Sequence, residues 1–284
     1  MYDYLSGPLA MEGEYLNAFV RQYHAILRDM SASFTTDTQA RSGEVSRGNK
    51  TVAVIPVLGA IANRGGWMGV GADCIGAAVD SAVNSARVDA IVFDVDSPGG
   101  TVTGIPELAD KIMGARKVKP TVAVANGMMA SAAYWIGAAA GEIVSSPSSK
   151  TGSIGVYMVH EDWTENMEAQ GVKITEVSAG KYKTEGAPWK ALDEEAEAQI
   201  HTEVTEAYNW FVRDVARFRG ASQAAVREGY GEGRVVSAEA AVKAGLADRV
   251  GTLEETIDRL AGGGSVRRGG RGDDQARKIR RARG

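Results

Sequence analysis

Residues 121–141, TVAVANGMMASAAYWIGAAAG, decide the fold of this chain. The stretch carries no charge and is long enough to cross a bilayer. It is, however, dominated by Ala and Gly, contains polar residues and starts directly after Pro120. This composition indicates a buried strand at Thr121–Ala125, then a turn, and then a helix at Ser131–Ala140. We therefore interpret the stretch as part of a folded core and not as a membrane span.

The segments on both sides of this stretch alternate between strand-like and helix-like patterns. Because the strand-like runs are apolar throughout, both of their faces are expected to be covered. The sequence thus predicts an α/β fold with layered, mostly parallel sheets and flanking helices. Strands are predicted at residues 51–61, Ala90–Val95, Ile143–Val144 and Ile154–Val159. Helices are predicted at Cys74–Ala86, Ile105–Ala115, Asp193–Phe218, Ser237–Gly245 and Thr252–Leu260.

Length and composition are those of a globular protein that needs no disulfide or structural metal ion to be stable. The chain has 284 residues, is 44% hydrophobic and 24% charged, and holds a single cysteine, Cys74. It is long enough to bury a sizeable core, and one cysteine makes neither an internal disulfide nor a cysteine-based zinc site. Acidic residues near the N-terminus interrupt any apolar signal-peptide core, so export by that route is not expected.

Patterning divides the chain into three regions. Residues 1–48 are predicted to form an appendage, with an amphipathic helix over residues 9–30 and a polar linker over residues 35–50, and residues 49–261 form the main domain. Residues 262–284 form a Gly-rich tail with 8 basic and 2 acidic residues, a local charge of +6 that leaves −10 for the rest of the total of −4. We expect this tail to be disordered and able to contact nucleic acid or an acidic partner. A solvated terminus or the remnant of a longer chain explains the same composition.

Two strand ends carry residues suited to acyl-transfer chemistry. After Ala90–Val95, the glycines of Asp96–Gly100 (DSPGG) let backbone N–H groups face an anion or oxyanion, although a plain turn has the same composition. After the central strand, Ser131 is predicted at the start of a helix, where its hydroxyl would lie beside helix-terminal N–H groups. That position suits a nucleophile or a simple helix cap, and the pattern alone leaves both open.

A serine nucleophile needs a base, and the sequence offers two kinds. Of the three histidines, His24 lies in the predicted appended helix and His201 on a polar helix face. His160 follows a predicted strand and is therefore the histidine positioned for a triad. A lysine also serves if its surroundings keep it neutral, and Lys183 lies among apolar and small residues. Because most lysines are solvated surface charges, the residues alone do not decide between the two.

Four stretches in chain order resemble the signal peptide peptidase A family of serine proteases. The similarity extends from about Val52 to Ile257. It implies a ClpP/crotonase-like fold and catalysis by a Ser/Lys dyad. The stretches are DSPGG (96–100), NGMMASAAYWIGAAAGEIVSSPSSKTGSIGV (126–156), SAGKYKTEGAPWKALDEEA (178–196) and GRVVSAEAAVKAGLADRVGTLEETI (233–257).

The resemblance implies a role for particular side chains and amides. Ser131 of ASAAYW matches the nucleophile, and Lys183, the second lysine of GKYK, matches the general base. Ser153 matches a serine whose hydroxyl orients that lysine. The backbone amides of Gly100 and Ala132 match the oxyanion hole.

The chain departs from the family pattern directly after the nucleophile. Many relatives have glycines where this chain has Ala132 and Ala133, which should narrow the cleft slightly and leave the amide available. His160 matches no catalytic position of the family, so the resemblance favours Lys183 as the base. It implies no metal and no nucleotide cofactor.

Within the family, the chain is most similar to versions encoded by tailed bacteriophages and prophages. The similarity lies in a half-length core, a leader at residues 8–16 (PLAMEGEYL), a charged Gly-rich tail and the lack of a membrane anchor. It implies a serine endopeptidase that cuts scaffold and capsid proteins during head maturation, in the bacterial host cytoplasm or the immature capsid. It also implies a homo-oligomer, expected to be an octameric ring, in which Ser131 of one subunit meets Lys183 of its neighbour.

Three alternatives to this function stay open. The chain would be a cellular protease that degrades signal peptides or membrane-derived peptides, a catalytically silent scaffold-binding capsid component, or an acyl-CoA enzyme of the crotonase type. The joint presence of Ser131, Lys183 and Ser153 favours the protease over the last two.

Overall fold

The computed structural model describes residues 9–11, 42–65 and 69–262. Most of the predicted N-terminal helix and residues 263–284 of the basic tail lie outside the described residues. The strands within these ranges are β1 (Leu9–Met11), β2 (Gly43–Arg47), β3 (Lys50–Leu58), β4 (Ile61–Ala62), β5 (Val70–Gly71), β6 (Ala90–Ser97), β7 (Gly99–Thr101), β8 (Thr121–Ala130), β9 (Glu142–Ser145), β10 (Lys150–Gly152), β11 (Val235–Ser237) and β12 (Arg249–Val250). The helices are α1 (Ala72–Asn84), α2 (Ile105–Ala115), α3 (Ala132–Ala138), α4 (Thr164–Ala169), α5 (Glu194–Arg219), α6 (Gln223–Gly229), α7 (Ala238–Ala244) and α8 (Leu253–Leu260).

The larger sheet is mostly parallel and forks at its central strand. Its main path runs β11-β10-β8-β6-β3-β2. Strands β3, β6, β8 and β10 are mutually parallel, whereas the edge strands β2 and β11 are antiparallel to their neighbours. Residues 122–125 of β8 pair with β9, which in turn pairs with β12, while residues 128–130 pair with β10. The carboxyl end of β8 is therefore held between β6 and β10.

Both faces of this sheet are covered. One face packs under α1, α2, α3 and α5 through a cluster that includes Ile55, Phe93 and Val95. The opposite face carries Val92 and Val124, which cluster with Ile257 of α8. Two-sided burial of mostly parallel strands confirms the predicted layered α/β fold.

A smaller sheet lies beside the larger one, in the order β1-β7-β4-β5. Its strand β7 begins at Gly99, directly after β6 ends at Ser97 and the chain passes through Pro98. β4 pairs with β7 in parallel, and β1 pairs with β7 in antiparallel orientation. The turn DSPGG thus carries the chain from the larger sheet into the smaller one.

Most of the predicted elements of the main domain are confirmed. The helix predicted at Ile105–Ala115 has those bounds, because its apolar residues recur at helical spacing and Pro106 lies in its first turn. The long helix predicted at Asp193–Phe218 is α5, capped by the side chain of Asp193. Within the described ranges, none of the helices has the length and apolar character that crossing a membrane requires.

Two predictions for the N-terminal region are wrong where the structure describes it. Residues 9–11 form strand β1 and not the first turn of a helix, because they pair with β7. Residues 43–47, assigned to the linker, form β2. The physical reason is a hairpin: Gly48, with φ 63°, and Asn49 make a two-residue turn that brings Arg47 opposite Lys50. The boundary between appendage and domain stays a prediction.

The strand predicted at Ile154–Val159 is also wrong. The strand in this region is β10, which lies just before it, at Lys150–Gly152. Gly152 and Ser153 have positive φ values of 128° and 56°, which turn the chain out of the sheet before the apolar run begins. β10 forms because it lies between β8 and β11, so tertiary pairing overrides the local pattern.

Candidate active site

Ser131 alone makes the turn from β8 into α3. Its backbone has φ 55° and ψ −121°, and such a conformation costs a non-glycine residue about 1–3 kcal/mol. Its N–H donates to the carbonyl of Gly152 at 2.8 Å, and its Oγ donates to the carbonyl of Gly155 at 3.4 Å. Its side chain accepts no hydrogen bond from α3, so the simple capping role that the sequence left open is not observed. A strained serine between strand and helix is the geometry of a nucleophile elbow.

The helix that follows Ser131 is fixed by two fully buried aromatic residues. Trp135 stacks on Phe211 of α5, with ring centroids 4.4 Å apart, and its indole N–H donates to the buried carboxylate of Asp214 at 3.1 Å. The hydroxyl of Tyr134 donates to the carbonyl of Leu246 at 3.0 Å. These contacts hold the start of α3 in place and with it the strained backbone of Ser131.

Ser153 lies beside Ser131 at the end of the neighbouring strand. β8 and β10 are parallel, with Ala130 opposite Gly152, so the two serines are the residues that directly follow a matched pair. Ser153 is 7% exposed, has φ 56°, and donates its N–H to the carbonyl of Arg234 at 2.8 Å. The structure thus brings together two strained serines at adjacent strand ends.

Gly100 belongs to β7, against which α3 packs. Its backbone lies so close to β4 that a Cβ built on it would stand 1.8 Å from the carbonyl oxygen of Ile61. Only glycine allows this approach. The preceding Gly99 has φ 102° and donates its N–H to the hydroxyl of Ser97 at 3.2 Å, which braces the turn.

The first turn of α3 supplies further backbone donors. The first intrahelical bond at this end runs from the N–H of Trp135 to the carbonyl of Ser131, at 2.9 Å. The N–H groups before it, including that of Ala132, have no partner inside the helix. An amide adjacent to the serine and a positive helix end suit the stabilisation of an oxyanion formed at Ser131.

Lys183, the predicted base, lies on the surface of the described chain. It is exposed and occupies a run of turns over residues 181–186. Within the described residues, no hydrogen bond links Lys183 to Ser131 or Ser153. The structure therefore brings Ser131, Ala132 and Ser153 together, and the role of Lys183 as the base stays a prediction.

Two glutamates hold the turn that carries Lys183. Glu176 accepts hydrogen bonds from the Thr184 hydroxyl at 2.6 Å and from the Trp189 indole at 3.2 Å, and these bonds hold the pKa of its carboxyl below the usual value. Glu195 accepts from Lys181 at 2.6 Å and from the Tyr182 hydroxyl at 2.8 Å, which likewise lowers the pKa of Glu195. Sequence reasoning missed both glutamates, because no spacing rule relates them to the lysine.

The histidines that the sequence offered as alternative bases form no hydrogen bond with Ser131 among the described residues. A ring nitrogen of His160 lies 3.4 Å from the carbonyl of Ala187, and His201 is exposed on α5. His24 lies outside the described residues. In the part of the chain that the structure describes, no three His, Cys, Asp or Glu side chains cluster as metal ligands.

Comparisons with known proteins give a family match over much of the chain. The sequence profile of peptidase family S49 matches residues 114–267. Capsid assembly protease C of Escherichia phage lambda is 34% identical over 224 residues, which cover 77% of this chain and 50% of that protein. Head-tail preconnector protein GP5 of Enterobacteria phage P21 is 31% identical over 226 residues, which cover 78% of this chain and 45% of that protein. The chain therefore spans about half the length of the curated relatives it matches.

A solved structure of a ClpP1 point mutant from Listeria monocytogenes also matches this fold. It superimposes with a TM-score of 0.46 at 16% sequence identity, covering 72% of this chain and 94% of the other.

Proposed function

Because the chain belongs to peptidase family S49, we propose that it is a serine endopeptidase with Ser131 as nucleophile and Lys183 as general base. The observation that carries this proposal is the strained backbone of Ser131, with φ 55°, at the junction of β8 and α3. Capping does not explain the strain, since the side chain accepts no bond from the helix. A nucleophile elbow explains it, because this turn places a hydroxyl beside the unpaired N–H groups of a helix start.

The proposed reaction proceeds in two half-reactions. The neutral amine of Lys183 takes the hydroxyl proton of Ser131 while Oγ attacks the peptide carbonyl, and the N–H groups of Gly100 and Ala132 stabilise the oxyanion. The lysine then gives its proton to the leaving amine as the peptide bond breaks. A water molecule then gives a proton to the same lysine and attacks the acyl carbonyl. The ester bond to Oγ breaks, the lysine returns the proton to Ser131, and the carboxylic acid product leaves. Ser153 serves to orient the lysine amine through its hydroxyl.

We propose further that the base comes from a neighbouring subunit of a homo-oligomer. Lys183 is exposed and has no bond to Ser131 among the described residues. The segment before it exposes large apolar side chains, with Val172 at 45%, Ile174 at 49% and Val177 at 93% exposure. Exposed apolar residues grouped in one segment are typical of an interface. A shared dyad explains both the exposed lysine and this apolar surface.

Mixing two inactive variants tests the shared dyad. Ser131→Ala and Lys183→Ala should each be inactive alone, and a co-refolded mixture should regain part of the activity, since some interfaces join an intact serine to an intact lysine. Lys117→Ala is the control, because Lys117 is an exposed lysine that lies outside the turn carrying Lys183, and this variant should keep most of the activity. No recovery in mixtures that native mass spectrometry finds to contain both chains would place the dyad within one subunit.

Peptide cleavage itself is tested with a fluorogenic peptide library. The wild-type chain should release fluorescence and Ser131→Ala should not. A crotonase-type enzyme or a silent capsid component would leave the library intact. Absence of cleavage by the wild-type oligomer would therefore overturn the protease assignment.

We propose scaffold and capsid proteins of a tailed phage as the natural substrates. The support is the similarity to a capsid assembly protease and to a head-tail preconnector protein. Co-expression with scaffold and coat proteins of the same phage should yield fragments with the wild-type chain and none with Ser131→Ala. Cleavage of signal peptides without cleavage of scaffold would favour the cellular alternative.

A further inference from the structure

The outer edge of β7 is occupied by a strand from the start of the chain. On one side β7 pairs with β4, with Gly100 opposite Ile61. On the other side it pairs with β1 in antiparallel register, with Ala10 opposite Gly100. Without β1, β7 would present an open row of backbone donors and acceptors to solvent.

This edge lies next to the candidate nucleophile. Ser97, at the end of β6, pairs with Met129 of β8, and two residues after this pair the chain reaches Gly99, the first residue of β7, and Ser131. α3 starts directly after Ser131 and packs against β7. An extended chain on the open edge of β7 therefore runs past the amide of Gly100, where the proposed reaction needs a peptide carbonyl.

We propose that the Gly99–Thr101 edge is a docking edge for extended peptides, that residues Leu9–Met11 occupy it in the free protein, and that a peptide substrate binds by displacing them. Peptides commonly bind by adding an antiparallel strand to an exposed sheet edge, with main-chain hydrogen bonds as the main contacts. The inference rests on the proposed function only for the claim that the displaced edge then presents a peptide for cleavage.

The observed occupant has the features of a competitor. β1 pairs with β7 through only three residues, so few backbone hydrogen bonds must break when another chain displaces it. Ser131 is 1% exposed, and no bond joins it to Lys183 among the described residues. The segment therefore covers the edge beside a buried nucleophile, and a peptide must displace it to pair with Gly99–Thr101.

Paired proline substitutions test the competition in the full chain. In a strand, consecutive N–H groups point to opposite sides, so one of Ala10 and Met11 directs its N–H at β7. The double variant Ala10→Pro, Met11→Pro removes whichever donor that is, and Ala10→Val, Met11→Val keeps both as the matched control. With a library peptide as substrate, the proline pair should lower KM about 3- to 10-fold against the valine pair and leave kcat unchanged, since the edge is vacated.

A binding measurement separates this inference from the proposed function. Both pairs are placed in the Ser131→Ala chain and titrated with a fluorescein-labelled peptide of residues 5–15 (LSGPLAMEGEY), read by anisotropy. Tighter binding to the proline pair supports the docking edge even if no peptide is cleaved by any chain, an outcome that would count against the protease alone. Equal Kd for the two pairs, with equal KM where cleavage occurs, would overturn the inference.

Discussion

Replacing Gly100 by alanine should disable the proposed oxyanion hole without unfolding the protein. The added Cβ would lie 1.8 Å from the carbonyl oxygen of Ile61 and 2.6 Å from its carbonyl carbon, whereas real contacts are essentially never under 3.0 Å. Both contacts are backbone atoms, so β7 must move away from β4 by about 1.2 Å. A displacement of that size costs about 100-fold in rate, and loss of one oxyanion donor costs about 10²- to 10³-fold.

The assay compares kcat/KM on a cleaved library peptide with thermal unfolding of the same samples. Gly100→Ala should lower kcat/KM about 10²- to 10³-fold and destabilise the fold by about 1–3 kcal/mol, the usual cost of overpacking. Gly114→Ala is the matched control, because Gly114 lies in α2 with nothing within 4 Å of the added Cβ. It should keep full activity and gain at most about 1 kcal/mol of stability, since alanine favours a helix.

If Gly100→Ala is folded and keeps kcat/KM within a factor of about three of the wild-type value, the amide of Gly100 does not contact the oxyanion.

Ser131→Ala should lower kcat by about 10⁶-fold in single-turnover cleavage. Ser131→Gly should be equally inactive, but its free energy of unfolding in denaturant should exceed that of the alanine variant by about 1 kcal/mol, because glycine relieves the positive φ. Equal free energies of unfolding would mean that the backbone of Ser131 is unstrained. Trp135→Phe keeps the stacked ring but leaves the buried carboxylate of Asp214 without its indole donor. The free energy of unfolding in urea should therefore fall by about 1–3 kcal/mol. An unchanged urea midpoint would contradict the role given to that hydrogen bond. The bond from Thr184 lowers the pKa of Glu176 in the folded state, so its stabilisation is present above the ordinary glutamate pKa and is lost as pH falls through the lowered value. Glu176→Gln should therefore lower the melting temperature at pH 7, and the difference from the wild type should shrink as the pH falls through the lowered pKa of Glu176. A difference that stays constant as the solution is acidified would exclude the carboxylate as its cause.

The sequence predicts those parts of the fold in which local pattern and tertiary environment agree. The helix over Ile105–Ala115 is confirmed residue for residue because spacing and the first-turn proline point the same way. The strand predicted at Ile154–Val159 is wrong because apolar content alone does not fix the strand, and β10 owes its existence to its two neighbours. β1 had no local signal, since a three-residue strand is defined only by its partner.

In the candidate site, too, only the features that follow from local pattern could be predicted from the sequence. The position of Ser131 between strand and helix follows from the pattern of its stretch, so the structure agrees with the predicted start of a helix. Its positive φ, and that of Ser153, depend on carbonyls of Gly152 and Arg234 that no local pattern connects to them. The identity of the base stays a prediction, because the structure of one chain describes Lys183 only as an exposed residue in a run of turns.

The bonds under Ser131 also set the moment in synthesis at which the site is complete. Its N–H binds Gly152, whose strand pairs with Val235–Ser237, and the N–H of Ser153 binds Arg234. A ribosome must therefore add about 100 residues after the serine before these partners exist, which takes on the order of 5–20 s at ordinary translation rates. During that interval the nascent chain contains Ser131 but not all of the hydrogen-bond partners that hold the site. Translation order thus delays the assembly of this site until the domain is almost fully made.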